Sequence, residues 1–128
     1  NSSGQGVAAA VAFRRTASGA ESTQLVFQCP GGAGTCVPDP IDLGPEGDEV
    51  YLLLYGTGIR GRSSLGAVSV KIGGLAVPVS YAGDHLQYVG LDQVNAGPLP
   101  RSLAGRGEVQ IVLVADGQPA NLVTVAIQ

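Results

Sequence analysis

The chain has 128 residues, a formal net charge of -3, one His and no Met or Trp. That length suits a single domain burying roughly two-thirds of the surface its unfolded form exposes, so no metal or cofactor is needed to complete a core. The seven Lys and Arg residues are scattered rather than grouped, which argues against nucleic acid and anionic lipid as partners, and no apolar run approaches the ~20 residues that span a bilayer.

Charged residues make up 13% of the chain, against about 25% in an average soluble domain, while 20 Gly and 8 Pro are nearly twice the usual share. Such a balance favours many short strands joined by tight turns. The chain starts NSSGQG, without an initiator Met or a basic-then-apolar leader, and is read as a processed protein or an excised piece of a longer one, with room for a signal peptide upstream.

In chain order, Val7, Ala9, Val11 and Phe13 alternate with Ala8, Ala10, Ala12 and Arg14, a period of two that suits a strand with one buried face; an Ala-rich helix competes. TASGAES is turn chemistry and QLVFQ supplies a return strand, so residues 7–28 read as an N-terminal β-hairpin. CPGGAGTC closes it. Residues 37–49, VPDPIDLGPEGDE, hold three prolines and five acids and read as a connector that cannot be a central strand, because Pro lacks the ladder donor. Residues 50–128 then form the main core. VYLLLY reads as a strand buried on both faces.

A two-residue Gly73 and Gly74 loop pairs Ile72 with Leu75, Val70 with Val77 and Val68 with Val79 on one face, leaving Lys71 on the polar one. HLQYVGLDQVN reads as a strand with a glycine break, and PRSLAG as one helical turn after Pro100. For the closing EVQIVLVA and NLVTVAI, a two-residue turn at Asp116 and Gly117 puts Val112 opposite Asn121. A longer loop aligns Val109 and Ile111 with Val125 and Val123, and is preferred. Seven to nine short strands without a long amphipathic helix indicate an all-β, immunoglobulin-like sandwich.

Residues 50–61, VYLLLYGTGIRG, spell G-x-G-x-x-G at Gly56, Gly58 and Gly61, the spacing of a dinucleotide-binding turn. That site needs the third glycine to open a helix whose N-terminus holds the phosphates. Here RSSLGAVSVKIGG follows, with the alternation of a strand, so the three glycines are read as a corner where a buried strand leaves its sheet.

YGTGIRGRSSL, KIGG, YAG, GLDQVN and LPRSLAGRGEV, taken in order with the closing DG...N...V pattern, resemble the C-terminal domain family of Solibacter-type acidobacterial secreted proteins, well over residues 40–128 and loosely over 7–28. The strand order and GTG turn are more weakly similar to IPT/TIG domains. The resemblance implies an IPT/TIG-like β-sandwich module of an exported bacterial protein, secreted or at the cell surface, and transfers no catalytic residue. VNAGPLPRS is one residue longer than the family spacing, which places a bulge or altered turn near Ala96 to Pro98. The CPGGAGTC insert also departs from the family.

Cys29 and Cys36 enclose the flexible PGGAGT, and an export setting would oxidise them to a structural disulfide; a metal site, wanting two further ligands, and free thiols are the alternatives. His85, beside Asp84, is read as a surface residue, since no G-x-S-x-G elbow holds a nucleophile. Asp39, Asp42, Glu46, Asp48 and Glu49 offer oxygens to Ca²⁺ but lack the EF-hand order, and are read as a solvated linker. Lys71, the only lysine, with Asn95 or Asn121, is a remote candidate for a side-chain amide bond. Gln93 and Asn95 read as caps on backbone groups of a neighbouring loop. No catalytic, cofactor or metal site is expected.

The function expected is therefore a non-catalytic extracellular module, a spacer or protein-interaction domain whose partners are other domains of the parent chain or the cell surface. Edge strands offer a route for partner binding by strand addition. A carbohydrate-binding module is the alternative, and Tyr51, Tyr55, Tyr81 and Tyr88 discriminate: exposure of two or more on one face favours sugar, burial disfavours it.

Overall fold

The computed structural model describes residues 6–32, 34–59 and 61–128; the opening NSSGQ, Ala33 in the cysteine loop and Arg60 in the glycine segment lie outside the described residues. The strands are β1 Ala10–Arg15, β2 Glu21–Leu25, β3 Phe27–Gln28, β4 Val37–Pro38, β5 Glu49–Gly56, β6 Val68–Ile72, β7 Leu75–Val77, β8 Val79–Asp84, β9 Asp92–Ala96, β10 Gly107–Ala115, β11 Gln118–Pro119 and β12 Val123–Ile127. Short 3₁₀ turns lie at Leu65–Ala67 and Arg101–Leu103.

One five-stranded antiparallel sheet runs β2-β1-β5-β9-β8, and the other runs β11-β10-β6-β7 with β12 also on β10. Side chains from both sheets form one apolar cluster, as in a β-sandwich. Three segments carry the chain between the sheets: the glycine segment after β5, Pro78 after β7, and residues 97–106 after β9.

Within β1 the buried row is Ala10 and Ala12, while Val11 and Phe13 are half-buried on the outer side. The larger side chains thus lie opposite to where hydrophobicity alone would put them. Geometry explains it: Ala10 and Ala12 stand beside Leu54 and Leu52 of β5, and small next to large fills the inner layer evenly. β5 itself alternates, with Val50, Leu52 and Leu54 inside and Tyr51, Leu53 and Tyr55 half-buried, which corrects the expectation of a strand buried on both faces.

The glycine hairpin pairs Ile72 with Leu75 and Val70 with Val77, with Gly73 and Gly74 at positive φ (59° and 83°) as a primed turn requires. The expected Val68 to Val79 pair does not form. Pro78, which has no N–H to extend the ladder, ends β7, and Val79 begins β8 in the other sheet, opposite Ala96.

The seven residues before Asp92, expected to be part of a strand, are instead the connection between β8 and β9, closed at its base by the His85 N–H on the Leu91 carbonyl (2.8 Å). The altered turn expected near Ala96 is present. The β8–β9 ladder slips between Val79 and Tyr81, the Gly97-Pro98 peptide is cis, and a Cβ on Gly97 would lie 2.9 Å from the Tyr51 Cα.

The last hairpin combines the two-residue turn with the preferred register, without the Val112–Asn121 pair. Asp116 and Gly117 make a two-residue turn that pairs Val114 with Pro119 and Ala115 with Gln118, and one extra residue before β12 restores Val109 opposite Val125 and Ile111 opposite Val123.

Residues 37–49 are more than a solvated linker. Ile41 and Leu43 enter the core, and β4 pairs with β3 at the base of the loop closed by the Cys29–Cys36 disulfide. Asp48 is buried: its carboxylate accepts Nε and Nη2 of Arg14 (2.9 and 2.7 Å) and the Ala17 N–H (3.1 Å). Arg101 donates to the carbonyls of Leu43, Gly44 and Asp48. Two arginines thus fasten this segment over the end of the sandwich where β1 finishes and β5 begins.

Candidate functional site

The glycine segment is a corner between sheets. Gly56 ends β5, Gly58 takes positive φ (78°), and the chain enters β6 through the 3₁₀ turn at Leu65–Ala67, with no long helix after Gly61. Carboxylates hold the corner at both ends. Buried Asp92 accepts the Ile59 N–H at 2.7 Å, and Asp116 accepts the N–H and hydroxyl of Ser63 at 2.9 and 2.7 Å. Between them the Arg62 Nε donates to the Ala82 carbonyl of β8. The Ile59 and Ser63 amides are thus taken by the protein's own carboxylates.

The capping role expected of GLDQVN therefore belongs to Asp92, not to Gln93 and Asn95. Those two point to the outer side of β9, where Gln93 Nε2 donates to Asn95 Oδ1 at 2.6 Å. Period-two reasoning had a signal for this, since Asp92, Val94 and Ala96 share the buried row. Lys71 is exposed on β6 and Asn95 lies on β9 of the other sheet, so the structure does not bring them together. Among the described residues no group of three or more His, Cys, Asp or Glu is placed to hold a metal ion.

His85 is half-buried in a run of rings, with centroids 5.6 Å from Tyr55 and 5.0 Å from Tyr88. Its Nδ1 accepts the Gln87 N–H at 3.2 Å. The imidazole is thus packed against two tyrosine rings. Burial raises the Tyr55 hydroxyl pKa above its ordinary value. Tyr51 is raised by donating to the Glu49 carboxylate (2.7 Å), and Tyr81 donates to the Asp84 carbonyl. Tyr51, Tyr55 and Tyr81 are half-buried on the outer side of one sheet, while Tyr88 is 63% exposed in the hairpin connection. Beside it Leu86 and Val89 are 92% and 105% exposed.

At this same end, opposite the arginine-fastened segment, an apolar cleft of about 460 Å³ opens between the sheets. Val7, Ala8, Leu54, Ile59 and Ile111 form its buried floor, and Thr57, Ala120 and Asn121 its exposed rim. Of the sheet edges, β12 is bridged by Val7 and Ile41 and β8 is touched by Arg62, whereas among the described residues β2 and β7 have a strand neighbour on one side only. The chain matches no protein-family model, no curated protein and no solved structure.

Proposed function

We propose that the chain is a non-catalytic, immunoglobulin-like β-sandwich module of an exported bacterial protein, acting as a spacer and protein-interaction domain. The observation that carries this is the tip of the β8–β9 hairpin, where Leu86, Tyr88 and Val89 project into solvent together. Side chains so exposed add little to folding, and apolar side chains held out in solvent suit a partner's surface. The partner is another domain of the parent chain or a cell-surface protein. The Cys29–Cys36 disulfide fits an oxidising compartment. A carbohydrate-binding role has less support, because three of the four tyrosines are half-buried and the hydroxyls of Tyr51 and Tyr81 are already engaged.

A photo-crosslinking residue in place of Val89 in the full-length parent protein is expected to give discrete products with protein, mapped by mass spectrometry. A glycan array probed with the isolated chain is expected to give no saturable signal. Saturable micromolar glycan binding that is lost in Tyr88→Ala would replace this proposal with the carbohydrate-binding module.

A further inference from the structure

We infer that the cleft between the sheets is a binding site for a single aliphatic chain carrying a small uncharged head, such as an alkyl alcohol or the acyl tail of a neutral lipid. This goes beyond the interaction proposed for the hairpin tip, which projects outward from the same end. Three features of the cleft specify the ligand.

The first is size and depth. About 460 Å³ lies within the range of small-molecule sites and is far too small for a protein surface. Stacked sheets stand about 10 Å apart, so a gap between them is one side-chain layer thick and admits a linear chain rather than a fused ring system. The gap arises in the sequence: Val7, Ala8 and Ala9, just before β1, supply no side chain larger than Val, and Ile111 and Leu113 of β10 complete the lining.

The second feature is the floor, which is aliphatic and buried; among the described residues the lining includes no ionisable residue besides Tyr55 of the outer row of β5. A charged ligand would lose its hydration there without a counter-charge, whereas an alkyl chain replaces contacts that the small residues before β1 leave unmade. The third is the rim. Thr57 and Asn121 place a hydroxyl and an amide side chain at the exposed mouth, suited to a hydroxyl or ester head that stays near water.

The test is a titration of the 128-residue chain with 1-hexanol, 1-octanol and 1-decanol, read by amide chemical shifts in two-dimensional NMR. Saturable one-to-one binding is expected, with shifts concentrated at Leu54, Ile59, Ile111 and Leu113 and affinity rising about fourfold per added methylene until the cleft is filled. Ala120→Phe, at the exposed rim, should keep the fold and weaken 1-octanol at least tenfold. Thr57→Phe, also at the rim, should do the same, while Leu86→Ser with Val89→Ser should leave the affinity unchanged. Shifts that grow linearly without saturating, shifts centred on residues 86–90, or an affinity untouched by both rim variants would overturn the assignment.

Discussion

Asp48 shows how one side chain can turn a Pro- and acid-rich stretch into part of the body. Hydrogen bonding from the Arg14 guanidinium, helped by the Ala17 N–H and the charge of Arg101, outweighs desolvation and holds the carboxyl below the ordinary aspartate value. A depressed folded-state pKa stabilises the protein above the unfolded value, and that stabilisation is lost as pH falls through the folded value. Thermal unfolding of the wild type and Asp48→Asn between pH 7 and pH 2 should therefore show a gap at neutral pH that closes in the acid range. A gap of constant size would show that the carboxylate is not the origin of the effect. Sequence gives five acids within residues 37–49 without distinguishing the buried one, because the partner, Arg14, lies 34 residues away.

At the scale of elements, the local rules worked where the chain talks to its near neighbours and failed where a distant segment decides. The Gly73 and Gly74 hairpin, the 3₁₀ turn after Pro100 and the final register were legible because turn chemistry and alternation act within about ten residues. The misplaced Val68 partner and the inward Ala10 and Ala12 row were not, since Pro78 delivers β8 to the other sheet and Leu52 and Leu54 lie 40 and 44 residues downstream of their partners Ala12 and Ala10. The glycine corner belongs to both groups. Its turn character is local, but the Asp92 that fixes it follows 33 residues later. Removing a buried carboxylate that receives a backbone N–H leaves that donor unpaired, so Asp92→Ala should cost about 2–3 kcal/mol in denaturant unfolding. Asp116→Ala, at an exposed cap, should cost less than about 1 kcal/mol. Equal costs would remove Asp92 from its assigned role.

Across the whole molecule the two ends differ. One is closed by Arg14, Arg101 and residues 42–48, and the other carries the cleft and the projecting Leu86, Tyr88 and Val89. Composition marks the closed end only as a Pro- and acid-rich stretch over residues 37–49 and gives no sign of the cleft at the other. The candidate surface is only partly legible: sequence marks Tyr88 as a candidate sugar contact but reads Leu86 and Val89 beside it as part of a strand. Both sheets share one core, so they should open together, while the unpacked tip opens freely. Amide hydrogen exchange measured residue by residue is the decisive observation. Slow exchange is expected in β5, β6, β9 and β10 with a common opening free energy, protection at Ala17 and Asp48, and fast exchange across residues 86–90. Separate opening energies for the two sheets, or a segment 42–48 that exchanges as fast as the tip, would contradict a single body closed at one end and open at the other.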